Sequence, residues 1–319
     1  MRLIFMGTPE AAVPTLQRCL ADGHEIAAVW TQPDKPAGRG NKLKSPPVKE
    51  FARAHDLDVH QPAKIRTPEA FELFASHKAD AAVVVAYGRI LPAALLHAPP
   101  LGCINVHFSL LPKYRGAAPV NWAIVRGEKE TGVTTMCMDE GLDTGAILLQ
   151  RATAIAEKET APELMARLAH LGADLLSETL KRFSELKPRA QQEEAATHAP
   201  MLRREDGLID WSYDAFSIER CVRGFQPWPN SYTTHAGRKL IVWRAEAERV
   251  DASLGEKVEF EGGEIIEARR DNIIVACGVG DENSKSVLRL VEVQPEGKRR
   301  MSVRDFLNGV QLDTGDRFG

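Results

Sequence analysis

The chain has 319 residues, 44% hydrophobic and 27% charged, with a formal net charge of −3. A length beyond the roughly 250–300 residues at which a single core stops growing predicts two domains, and the near-neutral balance excludes bulk attraction to nucleic acid, so any basic site must be local. Five scattered cysteines (Cys19, Cys103, Cys137, Cys221, Cys277) offer neither a disulfide framework nor zinc spacing, which fits a reducing cytoplasm, and no apolar run suits a signal peptide or a membrane span.

LIFMG (3–7), a helical pattern over 11–20 and EIAAVWT (25–31) predict a β-α-β opening. Amphipathic stretches at 48–55 and 68–77 and the apolar runs AAVVVAY (81–87) and CINVHF (103–108) continue the rhythm. Near-continuous apolar strands alternating with helices predict a parallel-rich sheet covered on both faces. TGVTTMCM (131–138), AILLQ (146–150) and one long helix over 161–186 complete a first domain, 1–188. Residues 189–206 have little periodicity and read as a surface linker. In 207–319 a helix over 214–224 leads into short runs, SYTTH, KLIVWRA, NIIVAC and SVLRLVEVQ, divided by Gly, Asp and Asn. These predict a small barrel or sandwich, and a five-stranded OB-like barrel fits the length.

Two constellations carry chemistry. In CINVHF, Asn105 and His107 stand two apart on a strand, hence on one face, near the C-terminal end where open α/β sheets bind ligands. Either they are structural polar residues satisfied in the core, or they aim together at a ligand. The flank SLLPKYRGAAP, which stops the strand at Pro112 and turns at Gly116, can wall a pocket with backbone groups; Lys113 and Arg115 read equally as solvated charges. In MDEGLDTGAIL the acids Asp139, Glu140 and Asp143 lie in a Gly-rich loop, where acids commonly serve turns. The sharper reading has Asp143 facing His107 and holding it charged or oriented. Amide, imidazole and carboxylate together suit acyl transfer, with two donors for an oxyanion and a carboxylate to assist removal of an amine proton, and no Ser or Cys nucleophile.

FMGTPEAA has one Gly after the first strand and lacks both G-x-G-x-x-G and G-x-x-x-x-G-K-[ST], which weighs against NAD and nucleoside triphosphates. The stretch TQPDKPAGRGNKLKSPPVK (31–49) breaks the rhythm with a long loop carrying Lys35, Arg39, Lys42 and Lys44 and no acid between them. It reads either as a solvated loop or as a segment that orders on a phosphate backbone.

QPDKPAGRG, VVVAYGRILP, GCINVHFSLLPKYRGAAPVNWAI, TGVTTMCMDEGLDTGAIL, FQPWP and PEGKRRMSVRDFLNG together closely resemble the methionyl-tRNA formyltransferase family across essentially the whole chain. The resemblance implies an α/β, Rossmann-like formyltransferase domain with a C-terminal OB-like β-barrel, and transfer of the formyl group of 10-formyltetrahydrofolate to the amino group of methionyl-initiator tRNA in the cytoplasm, by a monomer without a metal. Asn105, His107 and Asp143 then form the catalytic trio. Ser109, Leu110, Leu111 and Pro112 match the folate-binding turn, and backbone around Ala86, Tyr87, Gly88 and Ile90 frames the pterin pocket. Lys35, Arg39, Lys42 and Lys44 look like the loop that enters the acceptor end of the tRNA, with Arg203, Arg204, Arg238, Lys239 and Lys298 to Arg300 as further tRNA candidates.

Two positions depart from the family pattern. Phe108 stands where many members carry Gly, and Met201 where they place Lys, so Arg203 or Arg204 is expected to compensate for the missing linker lysine. The nearest rival is a sugar-nucleotide amine formyltransferase, which shares the trio and the SLLP turn but has no use for the basic loop. A glycinamide ribonucleotide formyltransferase leaves the C-terminal domain surplus. A tRNA- or folate-binding module without catalysis is the reading from a different class.

Overall fold

The computed structural model describes residues 1–37, 42–250, 260–279 and 285–319. The chain divides into two compact units: residues 1–119, 130–154 and 164–200 form the first, and 120–129, 155–163 and 201–319 the second.

The first unit is built on a seven-stranded sheet. Its strands are β1 (Arg2–Gly7), β2 (Glu25–Trp30), β5 (Val59–His60), β6 (Ala81–Val85), β7 (Cys103–His107), β9 (Glu130–Cys137) and β10 (Ile147–Ala154), in the order β10-β9-β7-β6-β1-β2-β5. β3 (Lys35–Ala37) and β4 (Lys42–Lys44) form a separate two-stranded sheet, as do β8 (Arg115–Gly116) and β11 (His198–Ala199). Leu3, Ile4, Phe5 and Met6 of β1 are each no more than 1% exposed. A strand covered on both faces has no polar side to alternate with, so its sequence reads as one apolar run. From β7 to β5 the sheet is parallel, while β9 runs antiparallel to β7 and β10 antiparallel to β9. The sheet is therefore parallel-rich with an antiparallel edge. Only a short loop joins β9 to β10, too little chain for the crossover that parallel neighbours need.

Two stretches differ from the sequence reading. The basic loop expected to lack secondary structure contains the hairpin β3-β4, in which Lys35 faces Lys44, Pro36 faces Leu43 and Ala37 faces Lys42. Asp34 anchors its base, accepting from Lys49 Nζ at 2.7 and 2.8 Å, Gln61 Nε2 at 2.8 Å and Ser45 Oγ at 3.3 Å. The stretch expected as a linker is bound into the first unit as far as Pro200. Arg189 bridges Ile147, and β11 pairs with β8. Side-chain periodicity cannot reveal such attachments, because they run through backbone groups and isolated polar contacts. The long helix also stops earlier than expected, spanning Ala161–Lys181.

In the second unit β12 (Ser231–His235), β13 (Arg238–Arg249), β14 (Ile265–Arg269), β15 (Asn272–Val279), β16 (Lys285–Pro295) and β17 (Met301–Ser302) form one antiparallel sheet ordered β12-β13-β16-β15-β14, with β17 on β16. Among the described residues no ladder joins β12 to β14, so the expected barrel is observed as an antiparallel β domain. The helix Ala215–Gly224, capped by Asp214 through the Phe216 and Ser217 amides, buries Ile218 and Val222 in one core with Val242, Val275, Leu288 and Phe306. This unit extends beyond the stretch from 207 onward. Asn121 Nδ2 donates to Gly224 O at 2.7 Å, and Arg223 donates to Glu159 O at 2.8 Å, tying residues 120–129 and 155–163 into it. No helix among the described residues is long and apolar enough to cross a membrane.

Candidate active site

β7 ends the parallel part of the sheet and carries Asn105 and His107 on one face, 8% and 6% exposed. Partner strands fix their depth: Asn105 lies opposite Val84 of β6 and Met136 of β9, and His107 opposite Thr134. His107 Nε2 is 2.9 Å from Tyr114 O. A carbonyl only accepts, so Nε2 carries a hydrogen and Nδ1 is the free ring atom. Nδ1 lies 3.8 Å from Asp143 Oδ2, too far for a hydrogen bond and near enough for the carboxylate charge to act on the ring. The Asn105 amide takes no hydrogen bond from the described residues, leaving it for a ligand.

Asp143 reaches this place from the loop between β9 and β10. Its φ of +55° is left-handed, and Oδ2 accepts the Gly116 N–H at 2.8 Å. Gly116 itself needs to be glycine: its φ is +122°, and a Cβ there would lie 2.5 Å from Ala199 O.

The turn after β7 is closed by side chains that turn inward. Ser109 Oγ donates to Lys113 O at 2.6 Å. Thr134 Oγ1 donates to Ser109 O at 2.7 Å and accepts from Leu111 N at 3.1 Å and Gln150 Nε2 at 3.0 Å, which uses its full capacity. Leu111 is buried with Met136 and Ile147. Ser109 and Leu111 thus build the turn, while Leu110 and Pro112 are half-exposed. Beyond β6, Ala86 and Gly88 are exposed at φ +46° and +81°, and Ile90 is exposed. Tyr87 points inward, and its carbonyl accepts from Thr8 Oγ1 and Gln32 Nε2, both at 3.1 Å. What this segment offers a ligand is backbone at Ala86 and Gly88, together with the Ile90 side chain.

The basic candidates divide between the two units. Lys35 and Lys44 are exposed on the hairpin, Arg39 lies outside the described residues, and Lys42 enters through its backbone pairing alone. In the second unit Arg203, Arg204, Arg238, Lys298 and Arg299 are exposed. Lys239 sits over the Tyr232 ring at 3.6 Å, and burial first, then the nearby Arg204, pushes its pKa down. Arg300 instead pairs with Glu292 and stacks on Trp243.

The sequence reading missed the residues that hold the site. Arg115, left open as a solvated charge, is 2% exposed and pairs with Glu193 at 2.8 and 2.9 Å. Gln191 donates to Asp143 O and Gly145 O, both at 2.8 Å, and accepts from Arg115 Nε at 3.0 Å. Tyr114 N donates to Thr197 Oγ1 at 2.9 Å. The only signal in the sequence was an Arg beside a glycine turn, and its partners lie some 75 residues downstream.

An amide and an imidazole at a strand end, with a carboxylate beside the imidazole, are the kinds of group that acyl transfer uses. Residues 1–180 match the family Formyl transferase and residues 201–311 match Formyl transferase, C-terminal domain, so the class is that of the formyltransferases. The chain is 48% identical to the methionyl-tRNA formyltransferase of Citrifermentans bemidjiense, over 100% of this chain and 96% of that one. It is 47% identical to that of Geobacter sulfurreducens, over 100% and 97%. Within its class, the chain belongs to the methionyl-tRNA formyltransferases. The N-formyltransferase of Helicobacter canadensis, solved with folinic acid and dTDP-3-aminofucose, shares the fold with a TM-score of 0.63 at 21% identity, over 90% of this chain and 98% of that one.

Proposed function

We propose that this methionyl-tRNA formyltransferase takes its formyl group from 10-formyltetrahydrofolate, a folate-derived donor, and transfers it to the free amino group of methionyl-initiator tRNA. The observation that carries the reading is the Asn105–His107–Asp143 arrangement in a chain that aligns end to end with methionyl-tRNA formyltransferases. The amine attacks the formyl carbon. The Asn105 amide and His107 Nδ1–H donate to the formyl oxygen as it becomes an oxyanion, while Nε2–H stays on Tyr114 O. The imidazole therefore carries both hydrogens at that moment, with Asp143 as counter-charge. Asp143 then accepts the amine proton, directly or through a water; the oxyanion collapses to re-form the carbonyl, the carbon–nitrogen bond to the folate breaks, and the leaving folate nitrogen takes the bonding pair and that proton. Backbone at Ala86 and Gly88 and the turn from Ser109 to Pro112 are the groups we assign to the folate.

Charge supports the tRNA as acceptor. Lys35 and Lys44 lie directly across the hairpin, an unfavourable like-charge pairing that an anion relieves. Among the described residues the side chains of Arg203 and Arg204 meet no carboxylate, whereas Arg223, Arg289 and Arg300 of the same unit each face a glutamate. Unpaired cations are those free to take phosphates.

The test is formyl transfer from 10-formyltetrahydrofolate to methionyl-initiator tRNA, with unacylated tRNA and an amino-sugar nucleotide in parallel, using the parent and His107→Ala. Transfer to methionyl-tRNA alone, lost in the variant, is expected. Transfer to the sugar alone would move the substrate while leaving the mechanism.

A further inference from the structure

We propose that Gln191 is a positioning residue for formyl transfer, setting where the Asp143 carboxylate stands relative to His107. The proposal rests on the reaction assigned above, and it concerns the trio whatever amine is the acceptor.

Gln191 lies in the stretch that the sequence presents as linker, and both ends of its side-chain amide are engaged by the site. Both amide hydrogens go to the catalytic loop, to Asp143 O and Gly145 O at 2.8 Å, and its oxygen accepts from Arg115 Nε at 3.0 Å. Arg115 is flanked by the two backbone groups that touch the trio. Tyr114 O holds His107 Nε2 at 2.9 Å, and Gly116 N holds Asp143 Oδ2 at 2.8 Å. One amide thus ties the loop carrying Asp143 to the turn that orients both acid and imidazole. Thr197 reinforces the turn by accepting from Tyr114 N at 2.9 Å and Arg115 N at 2.8 Å, and Glu193 by its paired contacts with the Arg115 guanidinium.

The loop needs such a tie. A non-glycine residue at φ +55° occupies a sparsely populated region that persists only when its surroundings over-determine it. The loop closes so tightly that a Cβ on Gly145 would lie 1.8 Å from Cys137 O. Asp143 reaches His107 Nδ1 only at 3.8 Å, so small relaxations change whether a proton can pass. Only Gln or Asn offers two donors and an acceptor on one planar group, and Asn is one methylene shorter.

The test is a double-mutant cycle between Gln191→Met, which keeps the length and removes the polar group, and Asp143→Asn. If Gln191 acts through Asp143, Gln191→Met lowers kcat about tenfold or more with KM for the tRNA changed by less than about threefold. In the Asp143→Asn background the same substitution lowers kcat by less than about twofold. Equal falls in both backgrounds would mean general loosening and overturn the proposal, as would no fall at all. Should Gln191→Met fail to fold, Glu193→Gln loosens the same assembly from an exposed position. Its smaller fall in kcat, about two- to fivefold, must likewise vanish when Asp143 is Asn, and persistence there overturns the proposal. If the parent formylates an amine other than methionyl-tRNA, the cycle is run on that amine, which separates failure of the substrate assignment from failure of the positioning role.

Discussion

His107 Nδ1 and Asp143 Oδ2 stand 3.8 Å apart across the site, each fixed from behind, the imidazole by Tyr114 O and the carboxylate by the Gly116 N–H. Asp143→Asn keeps an oxygen for that amide and removes the charge. We expect kcat for methionyl-tRNA to fall about 10²- to 10⁴-fold, the range for loss of an acid–base group, with folate affinity unchanged. Single-turnover transfer and equilibrium folate binding measure the two separately, and a kcat within a few fold of the parent would remove Asp143 from proton transfer.

Gly116→Ala tests the support behind the carboxylate. The left-handed backbone and the close approach of Ala199 O are both incompatible with a Cβ. A loss of about 1–3 kcal/mol from the backbone strain alone is expected in thermal or urea unfolding, together with a fall in kcat, because displacement of the β8-β11 pair moves the amide that holds Asp143. An unshifted melting transition would contradict the account.

Phe108 occupies the position where Gly was expected from the family pattern. It is 6% exposed, and its ring edge lies 3.5 Å from where a Cβ on Gly172 would stand. Its role is therefore packing between β7 and the helix Ala161–Lys181. Phe108→Ala should cost about 3–5 kcal/mol of stability and leave the parent KM for folate unchanged in the folded fraction. A changed folate KM without destabilisation would instead make it a pocket residue.

Arg203 and Arg204 are exposed and without carboxylate partners among the described residues. If each meets one phosphate, Arg203→Ala and Arg204→Ala should each weaken tRNA binding at low salt and lower the slope of log Kd against log salt by about 1. Binding titrations over a salt series decide this, and unchanged slopes would leave the missing linker lysine uncompensated.

Asp34 ties the basic hairpin to the fold. Hydrogen bonds from Lys49 first, then Gln61, hold its carboxyl below the ordinary carboxylate value. On acidification the unfolded chain takes up that proton before the folded one. The stabilisation is thus complete above the unfolded value of about 3.9 and disappears as pH falls through the lower folded value. Lys49→Met should lower the Tm by an amount that stays constant from pH 7 to about 4 and shrinks below it. A gap that widens toward acid would refute the linkage.

Sequence alone determined the main strands and helices and marked Asn105 and His107 as candidate groups. Strands buried on both faces write themselves as apolar runs, and the two-residue strand period puts Asn105 and His107 on one face before any fold is known. The loop MDEGLDTGAIL offered three acids, and only the tertiary structure brings one of them, Asp143, against the imidazole while leaving Asp139 to bind Thr144 within its own loop. The hairpin at 35–44 and the attachment of 189–199 were illegible for the same reason. Their stability comes from backbone pairing and from single polar contacts such as Lys49 with Asp34 and Gln191 with Gly145, which leave no periodicity in the side chains. Arg115 carries the point furthest: a loop arginine is ordinarily solvated, and only the folded chain, by closing Gln191 and Glu193 over it, binds that charge into the turn whose backbone meets His107 and Asp143.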